Sequence, residues 1–234
     1  LMSRVNRLGS LYGGSWRSRR YQHLEGEGSG SGVSSGRTSP LMFSFQGRRV
    51  EAVPEISKYP DRPGFHYGLS FRINGEYVGH VDLGVGNNEI ELFSCGNFEV
   101  ISEMRKKRFG PEILLRTFMA AAEEASLRGF RIPKWVSVTY RIEPEPPEVY
   151  WRDIHKLEFL VPLLNSLGFR DKTQLEKEIR EDPDLRRLVK KHLSRDPVLS
   201  GTFYNTLDNL REELQRRTRA KTVSAANGTI DKPS

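Results

Sequence analysis

Five short strand-like pieces in a row, followed by one long helix, set most of what this chain can fold into. The pieces are residues 41–45, 49–53, 66–73, 77–83 and 89–93. Each is short and mixes apolar with polar positions as a strand does, and Asn74-Gly75 joins two of them as a hairpin turn would. Gly86-Asn87-Asn88 marks another reversal, so an antiparallel meander is expected. Residues 112–128 then read as a helix: Leu114, Phe118, Ala121 and Ala125 recur at helical spacing, Pro111 suits a first helical position, and Gly129 suits the end.

Residues 135–140 alternate like a strand, and a Pro- and Glu-rich loop follows at 143–148. The apolar stretch 154–167 is helical in pattern, with Pro162 kinking it or starting its second half. Beyond Phe169, segments 174–180, 185–193 and 203–217 are charged and helix-prone, with Pro183 and Pro197 as breaks. Their mixed signs describe solvated helix faces. A final strand is not evident directly after Phe169; residues 198–204, or the edge of a partner chain, are the sources the sequence offers. The expected architecture is α/β in the broad sense: a mixed, mostly antiparallel central sheet flanked by helices, with a helical C-terminal extension.

The tails differ in composition. Of the formal charge of +7, five units are Arg4, Arg7, Arg17, Arg19 and Arg20, all ahead of the first acid, Glu25, so residues 25–234 carry only +2. Any affinity for a polyanion therefore resides mainly in the arm. Residues 1–24 have the composition of a solvated tail, of a nucleic-acid-contacting arm, or of an organellar transit peptide. Residues 25–40 are a Gly/Ser linker. This divides the chain into an arm and linker at 1–40, a folded domain at 41–170, a helical extension packed on it at 171–219, and a disordered tail at 220–234.

No uninterrupted apolar run approaches the roughly 20 residues that span a bilayer; the best, 113–122, is broken by Arg116 and Thr117. No membrane association is expected. Cys95 has no partner within the chain, which excludes an intrachain disulfide framework and a cysteine-based zinc site. No metal is expected. A reducing compartment follows, cytoplasmic, or mitochondrial if 1–24 is a transit peptide.

The informative segment is FEVISEMRKKRFGPEILL, residues 98–115, in which a strand ends, a basic turn follows, and the long helix opens at Gly110-Pro111. A helix N-terminus presents unpaired N–H groups and a partial positive charge. Arg105, Lys106, Lys107 and Arg108 directly before it complete a cradle suited to a diphosphate, while the plainer reading of such a run is a solvated basic turn.

On these residues the chain resembles the GNAT acetyltransferase superfamily, in which a strand ending in Val and a Q/R-x-x-G-x-G/A turn opening a helix bind the pyrophosphate of acetyl-CoA. Val100 to Arg105 stands in the strand-end register, and Arg105-Lys106-Lys107-Arg108-Phe109-Gly110 matches the signature with Arg108 at the first glycine position. The preceding meander, the 112–128 helix, the 135–140 strand and the ending Leu167-Gly168-Phe169 follow in the family's order, covering residues 65–169.

The resemblance implies an N-acetyltransferase that moves an acetyl group from acetyl-CoA to an amine by direct attack in a ternary complex. It implies that the backbone of Phe98, Glu99 and Val100 pairs with the pantetheine arm. Arg105, Lys106, Lys107, Arg108, Phe109, Gly110 and Pro111 would line the pyrophosphate, Pro111 without an N–H to give. The usual tyrosine acid falls at Leu164. Glu91 and Glu99, with His80, are the available bases, and Tyr140 or Tyr150 could replace the acid; each also reads as an ordinary exposed strand residue or packed aromatic. The acceptor is a small-molecule or protein amine, and the acidic loop 143–148 favours a cationic one. The alternative is a GNAT-fold module without turnover, contacting RNA or a ribonucleoprotein through residues 1–24. A nucleic-acid domain using the basic run alone lacks the interleaved aromatic platform such domains use.

Overall fold

A computed structural model describes residues 39–93, 97–141, 158–195 and 200–227. The meander is present: β1 (Leu41–Phe45), β2 (Arg48–Lys58), β3 (Phe65–Ile73), β4 (Glu76–Gly86) and β5 (Glu89–Phe93) pair antiparallel in sequence order. Asn74 and Gly75 both have positive φ, 52° and 81°, the conformation whose twist matches a two-residue hairpin. Along β3, Phe65, Tyr67, Leu69, Phe71 and Ile73 alternate onto one face and are buried, while His66 and Ser70 face the other way and are half-buried.

The chain then gives β6 (Phe98–Val100), a short helix α1 (Ser102–Lys106), and α2 (Phe109–Leu127). Helix α2 carries Leu114, Phe118, Ala121 and Ala125 into the core, as the spacing requires, against the apolar face of β3 and β4. It begins earlier than its sequence pattern indicates, with Arg108 as the N-cap, so Pro111 is its third residue. That position is still within the first turn, where no N–H is needed for the ladder. Gly129, at φ 76°, ends the helix: Phe130 N–H donates to the Ala125 carbonyl and Gly129 N–H to that of Ser126.

Strand β7 (Trp135–Arg141) runs parallel to β5, and helix α3 covers 158–166. The LGF ending has a local cause. Gly168, at φ 77°, stops α3, with Phe169 N–H donating to the Leu164 carbonyl and Gly168 N–H to that of Asn165. Phe169 and Leu164 are both buried, which completes the hydrophobic contact of such a terminus.

The last third departs from a purely helical extension. Strand β8 (Arg170–Asp171), helices α4 (Glu176–Glu181) and α5 (Pro183–Arg195), strand β9 (Ser200–Thr206) and helix α6 (Leu207–Asn227) follow. Strand β9 inserts between β7 and β8, so the sheet order is β1-β2-β3-β4-β5-β7-β9-β8, with β6 paired to β4. Residues 203–206 are thus strand rather than the start of a helix: Phe203 and Asn205 turn to one face and Tyr204 to the other, and Thr206 caps α6 by accepting from the Asn209 N–H at 3.2 Å. The helical backbone of α6 continues to Asn227, into the stretch expected to be a disordered tail.

Helices α2, α3 and α6 contribute to the core on one face of the sheet. On the other, Leu175, Leu185 and Val189 from the α4–α5 region pack on Trp135 and Tyr204. The architecture is a mixed α+β one, an open and mostly antiparallel sheet flanked by helices. No helix among the described residues is long and apolar enough to cross a membrane.

Candidate functional site

The basic turn lies where the sequence puts it. Lys106 and Arg108 are exposed, Met104 is buried beneath them, and Arg105 folds back so that its Nε donates to the Val100 carbonyl at 2.7 Å. Lys107 pairs with Glu103 at 2.7 Å. Arg108 has φ 58° and ψ 35°, a left-handed conformation that costs a non-glycine residue about 1–2 kcal/mol. A glycine would fit that backbone without the cost.

Two features reduce the cradle. The N–H groups of Lys107 and Arg108 already donate to the Met104 and Arg105 carbonyls. Above Gly110 the space is apolar and filled: a Cβ there would stand 2.8 Å from Leu163 Cδ1, and 3.4 Å from the ring tips of Phe159 and Phe98. Phe98 and Phe159 stack, with centroids 6.2 Å apart and planes 11° off parallel. Arg105 lies 5.5 Å from the Phe159 ring centre. The approach of α3 to the first turn of α2 thus leaves no space for a large side chain at position 110.

A second group forms where β5, β7, β9 and α5 meet. Glu91 is 2% exposed and accepts a hydrogen bond from Thr139 Oγ1 at 2.7 Å. His192, from α5, places Nε2 3.1 Å from Glu91 Oε1 and Nδ1 3.0 Å from the Tyr204 hydroxyl. Burial pushes the Tyr204 phenol well above its usual range, outweighing a hydrogen bond to Thr202, so it stays neutral. Glu89, two residues before Glu91 on the same face of β5, pairs with Lys191.

This group borders a cavity of about 100 Å³ lined by Tyr59, Arg62, Pro63, Gly84, Gly86, Asn87, Glu89 and Glu91. Its width depends on Gly84, since a Cβ there would come within 2.6 Å of the Tyr59 hydroxyl oxygen. Burial also raises the Tyr59 phenol, against the lowering effect of Arg62, whose guanidinium carbon sits 4.2 Å from the ring centre.

The three residues singled out for acid–base work do not converge. Glu91 is buried at the cavity. Glu99 is exposed and accepts from the Tyr77 hydroxyl at 2.8 Å. Tyr140 lies on the opposite face of the sheet from Glu91, packed with Phe203 over Gly201. His80 is half-buried, with Nδ1 3.3 Å from Ser70 Oγ. Leu164, at the position of the family's tyrosine, is fully buried in the core. Tyr150 and the 143–148 loop lie outside the described residues.

No protein-family model, curated protein or solved structure matches the chain. The candidate site rests on its own geometry. That geometry adds His192, Thr139 and Tyr204 to the residues the sequence pointed to. His192 lies 101 positions after Glu91, inside a charged helix, and the tripeptide Lys190-Lys191-His192 carries no signal that would have drawn it out.

Proposed function

We propose that the protein is an N-acetyltransferase that uses acetyl-CoA. The observation that carries the reading is the course of the sheet between β5 and α2. Strand β5 pairs with the parallel β7 through Phe93 and Thr139, whereas β6, which follows β5 in the chain, pairs among the described residues with β4 alone and leads through α1 into the basic helix start. A split between β6 and β7 suits an extended thioester arm, with Lys106 and Arg108 at its end to meet the diphosphate. Opening that split requires α3 to withdraw Phe159 and Leu163 from Gly110.

In this reading the acceptor amine enters the cavity at Glu89 and Glu91, which attract its cationic form. Glu91 takes the amine proton, held in place by Thr139. The neutral nitrogen attacks the thioester carbonyl, the carbon–sulfur bond breaks, and the departing coenzyme A thiolate takes the second proton that the nitrogen sheds. The products are an amide and free coenzyme A.

One observation favours a second reading, a binding module without turnover: Leu163, Phe159 and Phe98 cover the helix start. The two separate in an acetylation assay over a panel of small amines and lysine peptides. Enzyme activity that falls about 100-fold or more in Glu91→Gln, with acetyl-CoA affinity unchanged, is the expected result. Donor binding without acetylation of any amine supports the module.

A further inference from the structure

We infer that Glu89, Glu91 and His192 form a binding site for a first-row divalent cation, of the Zn²⁺ or Mn²⁺ class. One ligand atom from each of the three lies within 4.8 Å of the other two. The carboxylates come from alternate positions of β5, so the strand aims both at one side of the sheet. The imidazole comes from α5, whose first turn is fixed to β7 through Asp182. The ligands thus sit on regular, packed elements.

The histidine points to a ligand independently of the acids. His192 is 8% exposed, its Nδ1 is engaged by Tyr204, and its buried Nε2 has no hydrogen-bond partner among the described residues. Glu91 Oε1 stands 3.1 Å away without forming a hydrogen bond to it. A coordinating imidazole is held in this way: one nitrogen is oriented by a polar neighbour and the other is directed at the ion. Thr139 does the same for the Glu91 carboxylate. The adjoining cavity has room for the waters that would complete the coordination.

One nitrogen and two carboxylates select against Ca²⁺ and Mg²⁺, which favour oxygen-only sites, and suit Zn²⁺, Mn²⁺ or Fe²⁺. Lys191 is the counter-charge of Glu89 in this arrangement, and the ion would take its place. The inference does not rest on acetyl transfer. A bound ion would occupy the carboxylate that takes the amine proton in acetyl transfer, so the cation and the acceptor amine compete for Glu91.

The test is titration calorimetry of ZnCl₂ and of MnCl₂ into the full chain after EDTA dialysis, with MgCl₂ as comparison. Expected are one equivalent bound at micromolar or tighter dissociation constant, at least a tenfold weakening in both His192→Gln and Glu89→Gln, and tighter binding in Lys191→Met. Glu89 is only half-buried, so Glu89→Gln reports on the site even if the histidine variant fails to fold; circular dichroism checks each. Absence of binding at 100 µM metal overturns the inference. So does binding that Glu89→Gln, correctly folded, leaves unchanged.

Discussion

Gly110→Leu should destabilise the protein by about 3 kcal/mol, at the upper end of what an overpacked core position usually costs. The glycine has no positive φ to accommodate, so the cost is purely steric. Its α-hydrogen faces Leu163, Phe159 and Phe98, and the first added carbon already stands 2.8 Å from Leu163 Cδ1. Because that contact is the flexible end of a side chain, Gly110→Ala should cost much less, about 1 kcal/mol or under. The isobutyl group of leucine has no space and must push α3 off the first turn of α2. Urea denaturation of the wild type and both variants measures this. A leucine variant as stable as wild type, with weakened acetyl-CoA binding, would mean that Gly110 serves a ligand and not helix packing.

Asp182→Ala should cost roughly 2–4 kcal/mol, because a single carboxylate holds three things together. Its Oδ1 accepts the Asp184 and Leu185 N–H groups at 3.0 and 3.2 Å, capping α5. Such a cap is worth about 1 kcal/mol. Its Oδ2 accepts from Trp135 Nε1 at 2.9 Å and from Lys134 Nζ at 2.7 Å. Losing the acceptor leaves the indole N–H of a residue that is 6% exposed without its bond, which costs about 1–3 kcal/mol. The Lys134 bond adds little, since that side chain is 60% exposed.

The same carboxylate makes stability depend on acid. Burial alone would raise its pKa, but the bonds from Lys134, Trp135 and the Leu185 N–H overcome it and hold the group below the carboxylate range. An unfolded Asp titrates near 3.9. The depressed folded value means that the stabilisation is complete above about pH 5 and is lost as pH falls below about 4. Thermal melts from pH 7 to pH 3 should therefore fall less steeply for Asp182→Ala than for wild type. Equal slopes would contradict this assignment. Since α5 carries Lys191 and His192, the variant should also loosen the group around Glu91.

What the sequence made legible follows from the range of the forces involved. The Asn74-Gly75 hairpin, the buried stripe of α2 and the glycine stop at 129 are local: each needs only residues a few positions apart. The basic turn before α2 was legible for the same reason. The sequence offers 198–204 as a strand and 203–217 as helix-prone; the place between β7 and β8 extends the strand to Thr206, which is a tertiary matter. The long helix α6 was under-read at its end because a polar, small-residue stretch gives no apolar periodicity.

The site divides along the same line. Glu91 could be named because it is a carboxylate in a strand pattern. Its partners Thr139, His192 and Tyr204 come from three other elements, and no spacing links them. Glu99 and Tyr140 share Glu91's plausibility in the sequence, yet side-chain alternation turns Tyr140 to the opposite face and leaves Glu99 in solvent. The apolar roof over Gly110 was also illegible, since it depends on where α3 docks.

Titration calorimetry of acetyl-CoA into the full chain decides whether the donor enters beside the start of α2. One equivalent should bind at micromolar dissociation constant, weakened at least tenfold in Lys106→Glu/Arg108→Glu, since each lost charge-assisted bond is worth about 1.5–3 kcal/mol. Both side chains are exposed, so the double variant should fold as the wild type does. No binding at 100 µM, or binding indifferent to the charge reversal, would contradict it.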